Sequence, residues 1–121
     1  MQIRESHRAC GFAEPTIALG ATESSVVKCE EYSTGMIYFP QLFTGQDVTF
    51  KGSHVNHKAS DANIHPMFAT VAVAAGTDCT LAVNPLNWSP IPTEVMQMAA
   101  FKIVSDSAEE AARSMIVCMK S

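Results

Sequence analysis

Charge is scarce in this sequence. Only 17% of its 121 residues are Asp, Glu, Lys or Arg, while 47% are hydrophobic; soluble domains usually carry about 25% charged residues. The few cations form no stripe or cluster, and the net charge is −4. A chain with so little to set against phosphates is not expected to bind nucleic acid. Long apolar runs are missing too. The stretch 67–76 falls well short of the roughly 20 residues that cross a bilayer, so no membrane partner is expected. The first residues, MQIRESHRACGF, carry charge where a secretory signal has an apolar region. The four cysteines, Cys10, Cys29, Cys79 and Cys118, include no C-x-x-C pair, which argues against a zinc knuckle or redox motif. Three of them lie in apolar runs (VVKC, DCTLAV, MIVCMK), as reduced core thiols of a cytosol-made chain do.

Catalytic signatures are equally sparse. There is no G-x-S-x-G elbow and no G-x-x-x-x-G-K phosphate loop. Cys10 lies near His7, but nothing in the pattern holds the two together. Glu30-Glu31 and Glu109-Glu110 are adjacent carboxylates; neighbours on a strand point to opposite faces, so both pairs read as exposed, solubilising charge. FKGSHVNHKASDANIHP holds His54, His57 and His65. They are the only candidate metal ligands, with Asp61 as a possible carboxylate. His54 and His57 would face opposite sides of a strand, and HVNH lacks the Glu of a catalytic H-E-x-x-H helix. The composition of 53–66 is that of a solvated loop, so neither a metal nor any other cofactor is expected.

What is present is strand-forming sequence. Thr16–Leu19 is a short candidate strand inside an otherwise weakly patterned lead-in, residues 1–24. SVVKCEEY (25–32) places Val27, Cys29 and Glu31 on one face. GMIYFP (35–40) is an apolar run closed by proline, and GQDVTFKGS (45–53) alternates Val48 and Phe50 against Thr49 and Lys51. FATVAVAAG and TDCTLAV read as a hairpin turning around Ala75-Gly76-Thr77-Asp78. NPLNWSPIPT, with three prolines, reads as an irregular connection. AAFKIV and SMIVCMK supply two closing strands. Between them, Ser107 and Glu110 have capping-box spacing and Glu109 and Arg113 stand at i,i+4, so at most one short helical turn is expected near 106–113. The fold class is therefore mainly β: an antiparallel β-sandwich or jelly roll over residues 25–121, preceded by an extended arm over 1–24. Trp88 is read as a core anchor in preference to an exposed contact point. Trp88, Phe43 and Leu42 are the candidate interface residues, since aromatic anchors dominate binding surfaces.

Three stretches carry a resemblance: SSVVKCEEYSTGMIYFPQLFTGQDVTFKGS, VAVAAGTDCTLAVNPLNW and AAFKIVSDSAEEAARSMIVCMK. In that order they resemble small tailed-bacteriophage virion proteins of β-sandwich type. The matching residues are Phe39-Pro40, Val48-Thr49-Phe50 and Phe101-Lys102-Ile103-Val104-Ser105, spread over residues 17–120. Val104 departs from the pattern, which usually has a basic residue there. The resemblance implies a non-enzymatic head-decoration, neck or tail accessory protein, made in the bacterial cytoplasm and resident in the virion. Its implied partners are other virion proteins (major capsid, portal or neck, or tail proteins) and further copies of itself in a homo-oligomer. Two other readings stay open. One is a carbohydrate-binding module using Trp88, Tyr32, Tyr38 and the His/Asn loop. The other is a cupin-like metal-dependent enzyme using His54, His57 and His65. The scarcity of charge is compatible with a surface covered by a partner or with one built from Ser, Thr, Asn and Gln.

Overall fold

The computed structural model describes residues 10–54 and 68–121. Along them run β1 (Cys10–Ala13), β2 (Thr16–Ile17), β3 (Val27–Lys28), β4 (Thr34–Tyr38), β5 (Asp47–Ser53), β6 (Ala69–Thr70), β7 (Ala72–Ala74), β8 (Thr77–Asp78), β9 (Thr80–Ala82), β10 (Trp88–Pro90), α1 (Thr93–Met96), β11 (Ala100–Ser105), β12 (Arg113–Ser114) and β13 (Ile116–Lys120). The pairings are antiparallel, and the fold is mainly β, as expected.

The alternation in DVTFKGS builds the first sheet. In β5, Val48, Phe50 and Gly52 turn inward, while Thr49 and Lys51 are half-exposed. β11 lies beside it with Ile103 opposite Phe50 and Phe101 opposite Gly52. The rings of Phe50 and Phe101 meet edge to face at 5.9 Å, a favoured aromatic geometry. Gly52 leaves room for its neighbours: a Cβ there would stand 2.6 Å from Met98 Cγ and 3.0 Å from Val71 Cγ2. The sheet order is β3-β11-β5-β6, with β9 pairing the other end of β5. Between β6 and β9 the chain forms the expected hairpin, β7 against β8. It turns at Ala75-Gly76, where Gly76 has φ +76°, a conformation L residues avoid.

The second sheet has the order β1-β13-β4-β10. Its inward residues Ile37, Val117 and Met119 join Val27, Val48, Phe50, Phe101 and Ile103 of the first sheet in one buried cluster. Each such side chain contributes about 1.5–3 kcal/mol by leaving water. Within the expected lead-in, β1 pairs with β13, β2 pairs with β12, and Ile17 is fully buried in the shared core. Residues 1–9 lie outside the described residues.

Three local expectations are corrected. Residues 106–113 are not helical; the helical turn is α1, which starts after Pro92, a residue whose fixed φ suits a helix start. Glu109 is not surface charge. Its side chain is fully enclosed, and its carboxylate accepts the backbone N–H groups of Thr44 (2.8 Å) and Gly45 (3.1 Å). Asp106 takes the next two, from Gln46 (3.0 Å) and Asp47 (3.2 Å). Two carboxylates thus hold four successive amides of the loop leading into β5. The bonds to distant amides hold the segment open, so the capping box does not form. The third correction concerns NPLNWSPIPT, which contains β10. Pro90 is tolerated because β10 lies on the sheet edge, where a missing N–H costs no ladder bond.

Candidate functional site

Strand β13 reads I-V-C-M-K. Val117 and Met119 go to the core, so Ile116, Cys118 and Lys120 face outward. β4 behaves the same way: Ile37 is buried, and Thr34, Met36 and Tyr38 face outward. Register then assembles the outer face. Phe12, Cys118, Met36 and Pro90 form one row across the four strands. Ile116, Tyr38 and Trp88 form the next, and Cys10, Lys120 and Thr34 a third.

The outer layer of an antiparallel sheet that faces water is normally polar. Here two adjacent rows are almost wholly apolar. Phe12 is 74% exposed, Trp88 46%, Ile116 39% and Met36 38%. Tyr38 and Trp88 lie 5.5 Å apart with their rings tilted by 54°. A hollow of ≈ 330 Å³ opens beside them, lined by Thr34, Gly35, Met36, Trp88, Cys118 and Lys120. A second, of ≈ 370 Å³, lies among Phe12, Ala13, Glu14 and Ile116. Among the described residues, the charges bordering these hollows are Lys120 at one end and Glu14 at the other.

The candidate residues from the sequence scatter. Trp88 is half-exposed on this face, which corrects its reading as a core anchor. β10 is an edge strand, and the turn at Leu86 (φ 65°) leads into it. Phe43 is buried against Phe39 at 5.0 Å, so it belongs to the core and not to an interface. Leu42 is exposed, but on the loop after β4 and off the sheet. Tyr32 packs against Gly11 on the inward side of β1, so it shares no platform with Trp88. His54 borders a separate groove of ≈ 340 Å³ that also holds Glu94 and Gln97. His57 and His65 lie outside the described residues, as does His7. Among the described residues no three His, Cys, Asp or Glu side chains are grouped as for a metal ion.

Four further titratable groups, Cys29, Cys79, Glu23 and Glu109, are occupied with structure. Burial, and to a lesser degree Glu30, pushes the Cys29 thiol up to about 11, and its Sγ donates to the Met98 carbonyl at 3.1 Å. Burial and then Glu94 raise Cys79. A raised thiol stays protonated and is a poor nucleophile. The hydrogen bond from Lys51 holds the Glu23 carboxyl below its ordinary range, with weaker help from Lys102 and against some burial. Glu109 is sealed from solvent and its oxygens serve backbone donors, so a substrate cannot reach it.

The face itself was missed by sequence reasoning, although a signal existed. MIYF and MIVCM are apolar in both phases of a strand, and such strands are normally covered on both faces. No protein-family model matches the chain, and no curated protein matches it significantly.

Proposed function

We propose that this protein is a non-enzymatic structural component of a tailed-phage particle, a head-decoration, neck or tail accessory protein. It works by laying the outer face of the β1-β13-β4-β10 sheet against other virion proteins. The observation that carries the reading is the apolar double row Phe12–Cys118–Met36–Pro90 and Ile116–Tyr38–Trp88. An uncovered patch of that kind marks an association surface, and it has the apolar centre and polar margin that interfaces share. The low overall charge and the sequence resemblance support the same reading.

The test is particle occupancy. The protein is expected in purified virions, and Trp88→Ala is expected to lower its occupancy at least tenfold while its melting temperature stays near that of the wild type. Absence from purified virions sinks the reading.

The half-exposed Tyr38–Trp88 pair beside the 330 Å³ hollow also favours a second reading, a carbohydrate site in which the rings stack on a sugar. Binding on a glycan array that vanishes with Trp88→Ala would establish it in place of the first.

A further inference from the structure

We infer that the partner of the apolar face is a second copy of this chain, turned end for end about a two-fold axis that lies in the plane of contact and crosses the strands. The inference rests on the reading of the face as an assembly surface and names its occupant.

Charge is the first argument. Each copy carries a net −4, so two copies repel wherever acidic surface meets acidic surface. On this face, among the described residues, one cation meets one anion: Lys120 borders one end and Glu14 the other, and the row of Phe12, Cys118, Met36 and Pro90 between them holds no charge. Neither has an ion-pair partner among the described residues. Lys120 stands opposite Cys10 in the ladder, four residues before Glu14 along the neighbouring strand. At about 3.4 Å per residue the two charges are roughly 14 Å apart along the strands. An end-for-end rotation brings each Lys120 to the Glu14 end of its mate, so the complementarity is satisfied twice. An isologous interface requires this self-matching, in which residue i meets j and j meets i.

Geometry is the second. The row Phe12–Cys118–Met36–Pro90 lies midway between the rows holding Lys120 and Ile116. The axis therefore runs along it, and Cys118 of one copy lies over Cys118 of the other. Face-packed sheets sit about 10 Å apart, so outward side chains from the two sides meet in the middle.

Area sets the strength. Four strands of three to five residues span on the order of 300 Å² of sheet, well below the ~800 Å² per partner of a standard stable complex. The dimer is therefore weak and concentration-dependent. Such a contact becomes effective where many copies are held side by side.

Sedimentation velocity from micromolar to millimolar protein provides the test, with Glu14→Lys, Lys120→Glu, the double reversal and Phe12→Asp. The wild type is expected to dimerise reversibly. Each single reversal and Phe12→Asp should weaken dimerisation at least tenfold, and the double reversal should restore it to within threefold. A short bis-maleimide is expected to cross-link the dimer through Cys118, so that Cys118→Ser abolishes the product and Cys10→Ser does not. A chain that stays monomeric at millimolar concentration overturns the inference, as does a dimer indifferent to these variants. Particle occupancy separates the two failures. A monomer still lost from virions on Trp88→Ala leaves the assembly surface standing and removes only the second copy. A face-dependent dimer absent from virions removes the phage assignment instead.

Discussion

The Glu109 carboxylate is enclosed by groups that are far from it in sequence. Thr44 and Gly45 lend it their amides, the Ser105 hydroxyl lies 3.0 Å from Oε2, and Arg113 Nε stands 3.5 Å from Oε1. Replacing one carboxylate oxygen with an amide NH2 sets donor against donor. Glu109→Gln is expected to cost about 2–3 kcal/mol, read from urea unfolding at pH 7, with no change in the slope of the transition. Cys29 gives a second prediction. Its folded thiol titrates near 11 against an ordinary value of 9.0, so the folded state resists losing that proton. The thiol therefore costs nothing below pH 9, and stability falls as pH rises from 9 through 11, by about 3 kcal/mol in all. The decline should flatten in Cys29→Ser, measured against wild type over the same range. Glu23 behaves in the opposite sense. Its folded carboxyl is lowered by Lys51, so its stabilisation is present above the ordinary carboxylate range and fades as pH falls through it. The group is partly exposed, which limits the effect to less than about 1 kcal/mol.

At the scale of elements, β5 and β11 were legible because period-2 alternation and burial report the same fact. Val48 and Phe50 alternate with Thr49 and Lys51 only because one face of β5 is covered. The β7–β8 hairpin was legible through Gly76, whose positive φ is a local need of the turn. The segment 106–113 was not legible. Glu109 followed by Arg113 reads as an i,i+4 helix pair, and the same spacing serves a carboxylate buried under a loop more than 60 residues away. No local pattern separates the two. Trp88 was misplaced for a similar reason: three prolines hide a strand that is permitted only on an edge. Gly52 tests the packing between elements. Gly52→Ala puts a methyl group against Met98 and Val71 and is expected to cost about 1–3 kcal/mol, visible as a lowered denaturation midpoint.

At the scale of the whole molecule, the two larger sheets share one buried cluster that also holds Ile17 from β2 and Met115 from the link to β13. With a single core, neither sheet has a reason to melt alone. Calorimetry should give one transition in dilute solution, its calorimetric and van't Hoff enthalpies agreeing; two resolved transitions would contradict the shared core.

The sequence by itself determined the class of fold and the order of its main strands, because side-chain alternation and turn residues are local consequences of covering one side of a strand. It also determined that charge would be sparse. Only the tertiary structure decided where that sparseness lies. Phe12, Met36, Ile116 and Trp88 come from four separate segments, and antiparallel register alone sets them side by side. Likewise, Glu109 becomes a buried acceptor only when the chain brings residues 44 and 45 over it, since hydrogen bonds and apolar patches are made between parts of the chain that no sequence window contains.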